Sequence, residues 1–122
     1  YSAVGIPTLQ TTTATTTLSS ALDMSVYTGK IIFILNCLQA TAGTTPTNTV
    51  TITECDTSGG TYTAVTGGAF TVVTGAGGNV FEHIELNADN LKRYIKFSAV
   101  TAGTSTPTFQ FGTCLVGTKK YA

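Results

Sequence analysis

KIIFILNCLQATAGTTPTNTVTITEC, residues 30–55, lays out a pair of strands, and RYIKFSAVTAGTSTPTFQFGTC, residues 93–114, repeats its plan. Each copy starts at a basic residue and runs through an apolar segment into Thr-Ala-Gly-Thr, at 41–44 and again at 101–104. A link containing Thr and Pro then leads into a second alternating segment. Alternation with period two is the signature of a β-strand, and Gly with Pro marks the break between strands. The chain therefore writes strand, connection, strand twice.

In the first copy, residues 30–39 place Ile31, Phe33, Leu35 and Cys37 on one face and Ile32, Ile34 and Leu38 on the other. Apolar residues on both faces predict a central strand covered on both sides. Residues 48–55 turn Val50 and Ile52 inward against Thr49, Thr51 and Thr53, and are expected to pair antiparallel with 30–39. The second copy divides into 93–100 and 108–117, with Ile95 and Phe97 set against Phe109, Phe111 and Leu115. The two units are expected to form the two halves of one core.

Between them, Asp56-Thr57-Ser58-Gly59-Gly60 is a strong turn signal. Short strands are predicted at 61–65 and 69–74, joined through Thr66-Gly67-Gly68, and another at 80–86. That last strand turns Val80, Ile84 and Leu86 in and Phe81, His83 and Glu85 out. Asn87 is placed to cap a bend or helical turn at 87–91 by accepting backbone amides. In front of the first unit, residues 1–20 read as an extended arm with a Thr-rich run, anchored by Ile6, Leu9 and Leu18. These three are the candidate residues for contact with a larger assembly or a neighbouring subunit. Deleting the arm is expected to weaken such contact while leaving the β fold intact.

The whole reads as all-β: an antiparallel β-sandwich or jelly-roll-like barrel of about 7–8 short strands. The expected organisation is an arm at 1–20 and a single sandwich domain at 21–122. Composition agrees. Of the 122 residues only 10% are charged, against roughly 25% in ordinary domains, and Thr and Gly take up the difference. The formal net charge is zero, so a basic footprint for nucleic acid or for anionic lipid is missing. So little charge also gives weak protection against association, which suits a protein working within an assembly. The longest apolar run, 31–35, is too short to span a bilayer, and neither a leader peptide nor a membrane partner is expected.

Residues able to do chemistry are few. His83 stands next to Glu82 and shares a strand face with Glu85, a pair read as an exposed strand pair or interface contact for want of a third partner. Asp23, Asp56 and Asp89 occupy turn-like positions, where a carboxylate caps its own backbone; calcium held by Asp56 and Asp89 is the sharper alternative. Cys37, Cys55 and Cys114 show no metal-ligand spacing and read as thiols used as small apolar side chains, with a disulfide from Cys55 to Cys37 or Cys114 as the alternative. The glycine clusters at 67–68 and 75–78 precede no helix and are turns, not phosphate cradles. No catalytic residue, cofactor or metal is expected, and the chain is read as a non-enzyme.

Leu22-Asp23 with Tyr27-Thr28-Gly29-Lys30, Leu91-Lys92-Arg93-Tyr94, and Leu115-Val116-Gly117 with Lys119-Lys120-Tyr121 form a recognisable order. Over residues 20–121 the chain resembles small virion structural proteins of tailed bacteriophages, of the capsid decoration or cement kind. The Thr-rich run at 11–17 is not part of that pattern. The resemblance implies a β-sandwich or jelly roll on the outer capsid surface of the virion, made in the host cytoplasm. It further implies a homo-oligomer, a trimer, whose partner is the major capsid protein and which bridges and stabilises capsid subunits. The competing expectation is a receptor- or glycan-binding module of a head fibre or tail, which would present an exposed aromatic platform.

Overall fold

The computed structural model describes residues 2–10, 14–17 and 20–120, with side chains from Ser20 onward. Among them are nine strands and two single 3-10 turns, and no α-helix. The strands are β1 (Ser2–Gln10), β2 (Ala14–Thr17), β3 (Leu22–Asp23), β4 (Tyr27–Cys37), β5 (Ala42–Cys55), β6 (Thr63–Ala69), β7 (Val73–Thr74), β8 (Val80–Asn87) and β9 (Tyr94–Lys119). All pairings are antiparallel. The all-β class and the sandwich or near-closed barrel expected from the sequence are what the chain forms.

The twice-written unit explains how. β9, the second copy, is one continuous strand of 26 residues. Its first part, 94–101, pairs with β5 (Cys55↔Tyr94 to Asn48↔Thr101). Its second part, 111–117, pairs with β4 (Cys37↔Phe111 to Ile31↔Gly117). So the two copies lie against each other head to tail, the first segment of each beside the second segment of the other. This corrects the expected pairing of 48–55 with 30–39: β4 and β5 are successive stretches along β9, not partners. The link at 38–41 carries the chain from one half of the folded sheet into the other.

Both copies turn that corner with the same residues. Gly43 has φ 108° and Gly103 φ 126°, a region open to glycine and strained for any other residue. A Cβ on Gly43 would stand 2.7 Å from the Cα of Pro107, and one on Gly103 would stand 3.0 Å from the Cα of Pro46. Each copy's glycine thus packs on the other copy's proline. Thr45 and Thr106, which directly precede those prolines, are left-handed as well, at φ 46° and 58°. Extended backbone is the usual state before proline, so this conformation is held by the corner around it.

β9 has two edges. Along the one opposite β4 and β5 run β1 (Ser2↔Gly117 to Gln10↔Phe109), β2 (Ala14↔Thr101 to Thr17↔Ser98) and β3. β8 pairs with β4 on its far side, and β6 and β7 pair with β5 on its far side. One half-sheet is therefore β1-β9-β4-β8, and the other is β2/β3-β9-β5-β6/β7. The Thr66-Gly67-Gly68 link expected as a turn is a bulge inside β6: its register on β5 jumps between Thr51↔Ala69 and Thr53↔Ala64, with Gly67 at φ 78°.

The core lies between the halves. Ile31, Phe33, Leu35 and Cys37 from β4 meet Val50 and Ile52 from β5, and Ile95, Phe97, Phe109, Phe111 and Leu115 from β9, all buried. Phe33 and Phe97 belong to opposite halves and touch edge to face, with ring centroids 5.8 Å apart at 67°. Each such buried side chain stabilises the fold by about 1.5–3 kcal/mol relative to exposure. The second face of β4 is not sealed as expected: Ile32 and Ile34 are half-buried and Leu38, just beyond the strand, is exposed. No helix or second layer lies over it among the described residues.

Candidate interaction surfaces

The polar inventory of the described residues does not converge. No group of three or more His, Cys, Asp or Glu side chains is placed to hold a metal. Asp56 stands 3.9 Å from Lys92, while Asp89 donates its amide to Asn87; the calcium alternative built on those two acids finds no third ligand. Asn87 caps the turn Ala88–Asn90 through that bond, 2.9 Å long. Asp23 caps the turn Met24–Val26 by accepting from the Ser25 amide at 2.9 Å. The three cysteines are free. Cys37 is buried, and burial pushes its thiol pKa up; Cys55 and Cys114 are half-buried.

Three surfaces organise the exterior. The first is a pole where both ends of β9 arrive together. There Arg93 donates to the Asp23 carboxylate through Nε at 3.3 Å and through a terminal nitrogen at 3.2 Å, and its guanidinium lies 5.1 Å from the Tyr94 ring centre. The Arg93 guanidinium, with help from the Ser25 amide, holds the Asp23 carboxyl down at about 2. The Met24 amide donates to the Arg93 carbonyl at 2.6 Å, and the Lys120 amide to the Val26 carbonyl at 2.8 Å. Tyr27 packs on Gly117 so closely that a Cβ there would stand 2.8 Å from the ring. Leu22-Asp23, Tyr27–Lys30, Leu91–Tyr94 and Leu115–Lys120 are distant in sequence and meet here. Their chemistry is closure.

At the other end, the corner residues Ala40, Ala42, Gly43, Pro46 and Gly75 line a groove of about 500 Å³. Every lining residue is uncharged. Behind it, a buried polar pair ties the two copies: the Thr101 hydroxyl donates to Asn48 Oδ1 at 3.2 Å, and Asn48 Nδ2 stands 3.7 Å from Cys37 Sγ. Sequence reasoning passed over Asn48, because a lone Asn opening an alternating strand carries no sign of burial.

The third surface is β8, at the end of its half-sheet. Val80, Ile84 and Leu86 face inward and Phe81, His83 and Glu85 outward, as the alternation predicted, and Glu82 shares the inward face. Glu82 is tied across the sandwich, where its carboxylate accepts from the amide of Thr71 and, at 2.9 Å, from its hydroxyl. On the outer face, Glu85 accepts from Lys30 Nζ at 2.8 Å and lies 3.8 Å from His83 Nε2. That contact lowers the pKa of Glu85 and raises that of Lys30. Phe81 is 75% exposed, the most open large apolar side chain among the described residues. Tyr62, by contrast, carries the Lys96 ammonium 4.5 Å above its ring.

Of the arm residues, Ile6 and Leu9 fall in β1, where the register sets Ile6 opposite Thr113 and Leu9 opposite Gln110. Leu18 lies outside the described residues. β1 is thus paired within its own chain along its length.

No family model matches the chain, and no curated protein sequence matches it. Solved structures do resemble it in fold. A mutant VP2 protein of infectious bursal disease virus aligns over 97% of this chain at TM-score 0.59 and 15% identity, and the Gt strain of that virus over 95% at 0.55 and 12%. The chain spans about a third of the length of those viral proteins, 32% and 33%. A subunit of Bacillus endospore appendages, described as disulfide-linked pili, aligns over 97% of this chain and 87% of its own length, at TM-score 0.51 and 17% identity. At these identities the likeness is one of fold.

Proposed function

We propose that this chain is a virion structural protein of the capsid decoration kind. It binds the outer surface of a phage head, where it stabilises contacts between major capsid protein subunits; it works as a non-enzyme and is made in the host cytoplasm. The observation that carries the reading is the use made of the residues resembling phage virion proteins. All four segments gather at one pole and close the fold there through Asp23, Arg93, Tyr27 and Gly117. A signature spent on rigidity is what a shell component needs. The fold likeness supports the same reading, since the matched proteins are named for virus particles and for pili. Many weakly held copies on one lattice add up to large collective stabilisation.

The alternative is a receptor- or glycan-binding module of a head fibre or tail. Phe81 favours it as a single exposed ring, but sugar platforms use several aromatic faces, and Tyr62 and Tyr94 are covered by Lys96 and Arg93. The test adds purified protein to undecorated capsids and follows sedimentation and heat release of DNA. Saturable binding with a raised disruption temperature is expected. Failure to bind shells, combined with saturable binding to host glycans, would establish the alternative instead.

A further inference from the structure

A sheet edge with free amides is a template for another strand, and proteins blunt such edges with proline, bulges or shortness. The four outer edges of this fold differ in that respect. β2 and β3 are four and two residues long. β6 carries the Gly67 bulge. β1 carries Pro7, and the direction of its missing N–H can be worked out. The Leu38 amide donates to the Gln110 carbonyl at 3.0 Å, so along β4 the even-numbered residues bond to β9 and the odd-numbered ones to β8, by the alternation of antiparallel ladders. Carried through the registers of β9 and β1, the same alternation turns the backbone groups of Ala3, Gly5, Pro7 and Leu9 outward. Pro7 therefore stands in the middle of that edge with no donor to offer.

β8 has none of these guards. Its eight residues, VFEHIELN, contain no Pro or Gly and pair with β4 without a register shift. By the same alternation Val80, Glu82, Ile84 and Leu86 bond to β4, leaving the amides and carbonyls of Phe81, His83 and Glu85 on the open side. What marks the edge is a donor and an acceptor: His83 and Glu85, two residues apart, on the exposed face. We infer that β8 is a homotypic interface, pairing antiparallel with β8 of a second copy about a two-fold axis at Ile84.

Register follows from the same residues. With Ile84 opposite Ile84, His83 faces Glu85 of the second copy and Glu85 faces its His83, while Phe81 faces Asn87. The odd-numbered residues with free amides then meet one another, as a ladder requires. Shifting the axis to His83 sets Glu85 against Phe81 and leaves no imidazole facing a carboxylate, and shifting it to Glu85 opposes two carboxylates, like charges whose direct opposition is unfavourable. Of the registers that keep the free amides in step, the one centred on Ile84 sets each imidazole, a hydrogen-bond donor, opposite a carboxylate acceptor. Lys30, already on Glu85 at 2.8 Å, stays on the outer face beside them.

The contact does not rest on the capsid reading and is tested without capsids, by light scattering and sedimentation on the full chain. The wild type is expected to show a mass near twice 12.6 kDa as concentration rises. His83→Pro removes an outward amide that β4 does not use, so it should leave the fold's circular dichroism intact and weaken association by about tenfold or more. His83→Glu should weaken it too, by opposing two carboxylates, and His83→Glu with Glu85→His should restore it, because an imidazole again faces a carboxylate. A monomer at every concentration overturns the inference, as does an oligomer that neither His83→Pro nor His83→Glu affects. If His83→Pro unfolds, His83→Glu and its rescue by Glu85→His decide alone.

Discussion

Asp23 and Arg93 show how one ion pair joins segments far apart in the chain. Because the pair holds the Asp23 carboxyl at about 2, below its unfolded value near 3.9, it contributes stability above the unfolded value. That contribution is lost as pH falls through the folded one. With Arg93 more than half exposed, solvent screening keeps that contribution small. Asp23→Asn keeps an oxygen for the Ser25 amide but not the charge, so it should flatten the loss of stability between pH 4 and 2 in urea titrations. A slope equal to wild type would refute this role. The corner glycines give a second residue-scale prediction. Gly103→Ala must place a Cβ 3.0 Å from Pro46 at φ 126°, and should cost about 2 kcal/mol or more. Gly59→Ala meets nothing within 4 Å and should melt within a degree or two of wild type. Equal melting of the two variants would remove the corner from the account.

At the scale of elements, β1 is the one whose meaning changed most. Read as sequence, residues 1–20 are an extended arm that either pairs as an edge strand or drapes as a strap across a neighbour, because they are too poor in large apolar residues to form a core. In the fold, β1 and β2 pair with the outer edge of β9 along 109–117 and 98–101. Removing residues 1–19 would bare the backbone of the central strand in both half-sheets. The expected outcome is a lower melting temperature and aggregation on concentration, since an open central strand is a template for association. A truncated chain that stays monomeric and melts like wild type would return the segment to the role of a strap. β8 is legible in the opposite way: its alternation correctly divided Val80, Ile84 and Leu86 from Phe81, His83 and Glu85. What the period could not say is that β8 ends a half-sheet.

For the whole molecule, zero net charge and a 10% charged fraction set what any association can rest on. Backbone pairing at edges and apolar contact carry it, with few ion pairs. On the proposed capsid role, binding to shells should therefore change less than about tenfold between low and near-molar salt, where a charge-driven contact would be screened away. A steep salt dependence would point to a charged partner surface that this chain does not mirror. The sequence by itself determined the all-β class, the inward set Ile31, Phe33, Leu35, Val50, Ile52, Ile95, Phe97, Phe109 and Phe111, and the turn at Asn87. All of these rest on period-two alternation and local capping, which act between near neighbours. It also showed that one unit is written twice. Only the tertiary structure decided that the two copies lie head to tail, that β5 pairs with β9 and not with β4, and that Gly43 and Gly103 each pack on the other copy's proline. Strand alternation says which side chains share a face but not which strand lies alongside. Partners are chosen by how the two half-sheets close over Phe33 and Phe97, a contact between residues 64 positions apart.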